Sequence, residues 1–346
     1  MIRAKHANPD PFLSRRRAGT ATWRAFLLMA AWLPGAFFIS GCTGVEEKTP
    51  KEETAMNEAL YNCRVETDRE SGRSVIVLSR GGESPLEARV APQSGANLFS
   101  LKYRGVELLR APQESLDEVT GYRFGTPVLY PAPNRVAGGK FSFEGRTFDW
   151  GVNDKDRFLH ALVHSVPWEH EMPQAGESGA RVVTYLEFKP GSALYEKFGF
   201  DHRLQLTFRL DREGLGLEYE VQNRDTRTLP FGFAIHPYFL FLEPRQQAYL
   251  SVPAGWHMEA VDLMPTGSLE SLDGSPYDLR AIIQLAEYSL DEVYYGMIPE
   301  KPAVIEYRES GIRVVLAASA EFTHMVVYTQ PENPFFCVEN QTCSTD

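Results

Sequence analysis

The sequence predicts an all-β protein built as a large antiparallel sandwich. Three observations carry that expectation. Apolar and polar residues alternate with a period of two along many short segments. Clusters of Gly, Pro, Asn and Asp separate those segments, as turns require. Helical periodicity is scarce, and YDLRAIIQLAEY (277–288) is at best one short helix.

The first 58 residues stand apart. Arg15, Arg16, Arg17 and Arg24 precede a mostly apolar run, 25–39, that ends in Ser40-Gly41-Cys42. A basic segment, a short apolar segment and small residues read as an export signal over 1–41. The motif ISGC resembles the lipobox of bacterial lipoproteins. That resemblance implies lipidation of Cys42 and a place in the bacterial cell envelope, facing periplasm or exterior, with lipid as the only membrane contact. An ordinary signal peptide and an uncleaved hydrophobic anchor are the alternatives. Residues 42–58 are charged, poor in apolar side chains, and read as a tether. From residue 60 onward no stretch is apolar for long enough to span a bilayer.

Residues 59–346 read as one domain, since no composition break divides them. The first clear strand is SVIVLS (74–79), followed by ANLFSLKY (96–103), KFSFEGRTFDW (140–150) and ARVVTYLEF (180–188). The cleanest signal is 201–223. His202, Leu204, Leu206, Phe208 and Leu210 alternate with polar residues, DREG turns the chain, and Leu215, Leu217, Tyr219 and Val221 repeat the pattern. This predicts a hairpin with one dry face. PFGFAIHPYF (230–239), IRVVLAA (312–318) and HMVVYT (324–329) complete the set.

Composition excludes some functions. The net charge is −11; residues 1–41 hold six Lys/Arg and one Asp, so the remainder carries −16. Such a surface repels phosphate backbones and argues against nucleic acid as a partner. Apart from Cys42, the cysteines are Cys63, Cys337 and Cys343. That odd number allows at most one bridge and implies no disulfide framework or zinc ribbon.

Five stretches could carry chemistry. In 125–148, Pro127, Pro131 and Pro133 stiffen a loop that delivers Asn134 and Arg135, whose directed hydrogen bonds suit a hydroxyl-rich ligand; a turn with a surface arginine is the plainer alternative. In 157–172, His160, His164 and His170 could approach a metal, but no HExxH pattern is present. His236 interrupts the apolar run FGFAIHPYF, either as a core histidine or as a general acid or base. Asp291 in SLDEVYYGM is a turn or cap aspartate, or a ligand group. Glu339 follows Phe335-Phe336-Cys337-Val338, either where a strand surfaces or as a carboxylate fixed for proton transfer. Trp150, Trp168, Tyr130 and Tyr238 could stack on a sugar or pack the core.

Taken in order, Pro-Asn-Arg before FSFEGRTF, His160 ahead of VPW, FGFAIHPYF, LDEVYYG and FFCVENQT resemble the aldose 1-epimerase (mutarotase) family, over about residues 60–346. The resemblance implies a galactose mutarotase-like β-supersandwich, a sugar substrate, and neither metal nor cofactor. It implies Glu339 as general base and His236 as general acid; proton transfer places them on opposite sides of the acetal carbon, and a nearby carboxylate such as Asp291 would favour the imidazolium. Asn134, Arg135, His160 and Asp291 would bind sugar hydroxyls. Two departures stand out: Ala161 follows His160 where the family carries glycine, and the chain runs only seven residues past Glu339, where another strand is expected. A missing strand would leave an open sheet edge beside the base. The alternatives are a hexose-phosphate 1-epimerase of the same superfamily, which needs additional Arg or Lys for the phosphate, and a catalytically silent sugar-binding lipoprotein.

Overall fold

The structure is a computed structural model in which residues 19–25 (backbone only), 59–119 and 121–346 are described. Cys42 and the tether lie outside the described residues. Among the described residues every strand pairing is antiparallel.

The hairpin expected over 201–223 is present as His202–Leu210 and Leu215–Asn223, in register from His202 opposite Asn223 to Leu210 opposite Leu215. Burial alternates along both strands, and the leucines face inward. Gly179–Phe188 pairs with one side of this hairpin and Gly19–Ala25 with the other, within a six-stranded sheet. Gly19–Ala25 falls inside the segment read as an export signal, so cleavage ahead of Cys42 would leave Leu215–Asn223 as an edge.

Tyr61–Thr67, Ser74–Arg80, Leu86–Ala91, Asn97–Tyr103 and Val106–Glu107 form a five-stranded meander in chain order. A four-stranded sheet joins Ala248–Ser251 to Ile283–Gln284, Ala303–Tyr307 and Ile312–Leu316. The largest sheet runs from Met264–Ser271 through Trp256–Val261, Leu290–Tyr295, His324–Thr329 and Phe335–Gln341 to Ala234–Ile235 and Val128–Leu129. One apolar core joins these four larger sheets, through residues such as Leu78, Leu206, Ile305 and Val327.

Several expectations are corrected. Residues 277–288 form no helix; their only regular structure is the short strand Ile283–Gln284. Leu279 and Leu285 are fully buried while Ile282 is exposed. Six positions apart, the two leucines would sit about 120° apart around a helix, at the limits of one apolar stripe. A helix that the sequence reading passed over is Ala193–Phe198. Its signals were local: the Ser192 hydroxyl accepts from the Tyr195 N–H, and Gly199 closes the helix at φ 69°. Among the described residues Cys63, Cys337 and Cys343 form no disulfide, within the expected limit of one bridge. Glu339 is not beside an open edge, because its strand pairs with His324–Thr329 on one side and with Ala234–Ile235 and Tyr238–Leu240 on the other.

Candidate active site

The largest sheet supplies a row of inward-facing side chains. Asp291 lies opposite Tyr328, Tyr328 opposite Cys337, and Cys337 opposite Tyr238. One step along, Glu339 lies opposite Val326. Alternation puts Phe335, Cys337 and Glu339 on one face of their strand, while Phe336 and Val338 enter the main core on the other. Asp291, Val326, Tyr328, Phe335, Glu339 and Tyr238 thus share one wall of a cavity of about 460 Å³. That size falls in the usual range for small-molecule sites.

His236 is held by the loop expected to be stiff. Buried Asn97 fixes residues 124–126: its carboxamide donates to the Phe124 carbonyl and accepts from the Thr126 N–H. Gly125, at φ +62°, packs where an added Cβ would fall 2.5 Å from the Phe99 Cα. The adjoining Pro127 carbonyl accepts the His236 N–H at 3.0 Å. The His236 ring stacks on Tyr238 with centroids 4.6 Å apart and meets the His160 ring edge-on at 5.0 Å. Its Nε2 lies 3.1 Å from Glu339 Oε1. No carbon can sit between atoms so close, so acid and base do not flank the acetal carbon from opposite sides. The carboxylate touching His236 is Glu339, whereas Asp291 is turned to Arg135.

The opposite wall comes from the Pro-Asn-Arg loop. Asn134 adopts φ 59°, a conformation asparagine tolerates well, and its carbonyl accepts the His160 N–H at 2.8 Å. Arg135 donates to Asn134 Oδ1 at 2.9 Å and faces Asp154 at 3.3 Å and Asp291 at 3.7 Å. His160 and Ala161 both have left-handed backbones, at φ 64° and 49°. His164 Nδ1 donates to the His160 carbonyl at 3.1 Å rather than joining a three-histidine set, and His170 Nδ1 donates to the Glu171 carbonyl elsewhere. Among the described residues, the buried side chains that gather like a ligand set are His236, Cys337 and Glu339.

Burial sets the charges. It pushes the Glu339 carboxyl well above the usual carboxylate range; Asp291 adds to the rise, while Gln341 and Arg135 oppose it. Burial, followed by His164 and Arg135, pushes His236 down to about 3. His160 is likewise held well below its ordinary value, by burial first and then by the neighbouring histidines and Arg135. Asp291 is raised by burial against the pull of Arg135. Burial thus favours the neutral form of each group, a protonated carboxyl beside an uncharged imidazole. His160 and His236 each keep a buried Nδ1 with no partner among the described residues.

All six residues singled out from the sequence, Asn134, Arg135, His160, His236, Asp291 and Glu339, line this one cavity. Of the four aromatics, only Tyr238 does; Tyr130 and Trp168 are in the main core and Trp150 packs against it. Arg110, Tyr122, Arg123, Asp154, Tyr328 and Asn333 line it as well and were not anticipated. Arg110, Tyr122 and Arg123 come from irregular segments with no periodic pattern to flag them.

The family model for aldose 1-epimerase matches residues 84–346. The uncharacterized protein YihR of Escherichia coli is 30% identical over 170 residues, covering 45% of this chain and 51% of its own. The galactose mutarotase of Bos taurus is 24% identical over 182 residues, covering 50% of this chain and 51% of its own. The chain thus spans about half the length of the curated relatives it matches. Among solved structures, a galactose mutarotase-like protein from Clostridium acetobutylicum superposes with a TM-score of 0.73 at 21% identity, over 82% of this chain and 88% of that one. Galactose 1-epimerase from Lactobacillus acidophilus gives 0.63 at 17% identity, over 82% and 90%. These structures share the β-sandwich fold, and the family match runs from the second strand pair of the meander to the strand bearing Glu339: the chain belongs to the aldose 1-epimerase family.

Proposed function

We propose that this protein interconverts the α and β anomers of a hexose by general acid–base ring opening. The observation that carries the reading is the buried contact of 3.1 Å between His236 and Glu339, inside a cavity lined by Asn134, Arg135, His160 and Asp291.

Anomer exchange needs two proton transfers at oxygens borne on the same carbon. The C1 hydroxyl loses a proton, the ring oxygen gains one, and the bond from C1 to the ring oxygen breaks. Rotation about C1–C2 and reversal of the steps give the other anomer. An acid and a base in mutual contact can each reach one of two oxygens that share a carbon. Glu339 takes the hydroxyl proton as carboxylate, and His236 delivers its proton to the ring oxygen. That assignment requires the resting proton to cross from Glu339 to His236 first. Arg135 acts on both ends of the shift: its charge stabilises the carboxylate and opposes the imidazolium. Asn134, Arg135, His160 and Asp291 supply hydrogen-bonding groups for ring hydroxyls, and Tyr238 and His160 fix the His236 ring.

The test is polarimetry on freshly dissolved α-D-glucose and α-D-galactose with wild type and Glu339→Gln. Glutamine keeps the shape and cannot take the proton, so the rate should fall about 10²–10⁴-fold with an unchanged circular dichroism spectrum. Wild-type activity in Glu339→Gln would remove Glu339 as the base. Sugar binding without exchange in wild type would make this a binding protein.

A further inference from the structure

Two arginines of the cavity take no part in the acid–base pair. Arg110 and Arg123 line it together with Tyr122, Asn333 and Phe335. The Arg110 guanidinium lies over two rings, 4.5 Å from the centroids of both Phe124 and Phe335. It donates to the Arg123 carbonyl at 3.2 Å, which ties the two residues together. Glu118 senses the Arg110 charge, but its oxygens accept from the backbone N–H groups of Gln113, Glu114 and Ser115. Among the described residues no carboxylate comes within ion-pair distance of either arginine. Arg135, the third arginine of the cavity, has both Asp154 and Asp291.

The position of this pair matters. Phe335 precedes Glu339 by four residues on the same face of one strand, about 13 Å at the usual rise. The guanidinium over Phe335 therefore marks the end of the cavity remote from the base. Stacking covers the faces of a guanidinium and leaves its N–H edge free, and that edge is the part that grips carboxylate and phosphate oxygens in a fork. In a chain of net charge −11, cations without acidic partners inside a cavity attract an anion that the rest of the surface repels.

We propose that Arg110 and Arg123 bind an anionic substituent, carboxylate or phosphate, at the end of the pyranose remote from C1, so that the preferred substrate is an acidic hexose rather than a neutral one. The proposal rests on the acid–base reading of Glu339 and His236, which fixes where C1 sits.

The experiment measures anomer exchange of D-glucose, D-glucuronate and D-glucose 6-phosphate by NMR magnetisation transfer, for wild type, Arg110→Met and Arg123→Gln. Methionine fills the slot between Phe124 and Phe335 without a charge, and Arg123 is exposed, so its substitution keeps the test open if Arg110→Met fails to fold. Wild type should show a kcat/KM for at least one acidic sugar about tenfold or more above glucose. The ratio of acidic to neutral sugar should then fall about ten- to a hundredfold on removal of the Arg110 charge. Which acid is preferred separates carboxylate from phosphate recognition. Equal use of all three sugars, or a ratio that neither substitution moves, overturns the proposal. If no sugar exchanges in wild type, the acid–base reading has failed, and calorimetric titration with the same sugars decides this one. Tighter binding of an acidic sugar, weakened by the substitutions, sustains it; equal binding overturns it.

Discussion

Glu339 and His236 titrate as a unit, because a charge on one changes the other across 3.1 Å. His236 is depressed to about 3 and Glu339 is raised well above the ordinary carboxylate value, so between those limits the pair carries one proton. Below the lower limit a second proton blocks the base. Above the upper limit no proton remains for the ring oxygen. The expected pH profile of kcat/KM is a bell whose alkaline limb lies well above pH 4.5. A rate that kept climbing through the alkaline range would show that no proton donor is needed. Ala161 is a second residue-scale case. Its φ of 49° costs about 1–2 kcal/mol for a residue with a Cβ. Glycine would remove that strain but would lose about 0.8 kcal/mol of methyl burial and about 0.4–1 kcal/mol through the unfolded chain. Ala161→Gly should therefore stay within about 0.5 kcal/mol of wild type in urea unfolding. Ala88→Gly, at a fully buried strand position, should cost about 1.5 kcal/mol. Equal losses at both sites would mean that Ala161 is unstrained.

At the scale of the element, His257 ties three strands of the largest sheet together. Its Nδ1 meets Glu270 on Met264–Ser271 at 2.9 Å, and its Nε2 meets Glu292 on Leu290–Tyr295 at 2.7 Å. Tyr277 stacks on its face at 4.3 Å. Burial alone would depress this imidazole, but hydrogen bonds to Glu292 and Glu270 more than offset it and raise its pKa. A raised value means stabilisation that is fully present below about pH 6.5 and is lost as pH climbs through the folded-state value. His257→Gln should destabilise by about 1–2 kcal/mol at pH 6 and by less at pH 9. The same loss at both pH values would show that the ring acts by packing alone. Elements with strict alternation, such as His202–Leu210, were legible in the sequence because one dry face imposes a period of two. Leu290–Tyr295 was not, because its burial is graded rather than alternating, and Asp291 read as a turn residue. Residues 277–288 misled because Leu279, Ile282, Ile283 and Ala286 have helical spacing, yet of these only Leu279 is buried.

For the whole molecule, the sandwich and the six cavity residues could be read from the sequence, the latter through the motifs that carried the family resemblance. The assembly could not. Asp291, Glu339 and His236 are neighbours only because Leu290–Tyr295, His324–Thr329, Phe335–Gln341 and Tyr238–Leu240 lie side by side in an order unlike their order in the chain. Arg110 and Arg123 escaped because an arginine in a loop carries no mark of whether a carboxylate waits for it. Strand order has a further consequence, in time rather than in space. Phe335–Gln341 slots between His324–Thr329, made just before it, and Tyr238–Leu240, made far earlier: Tyr238 precedes Cys337 by about a hundred residues. Until residue 341 leaves the ribosome, both neighbours present open edges and the pocket lacks a wall. The edge of Tyr238–Leu240 thus stays open while about a hundred further residues are made, and contacts of such long sequence separation close slowly. A break between residues 329 and 335 would release a chain with that gap unfilled, ready to accept a strand from another molecule.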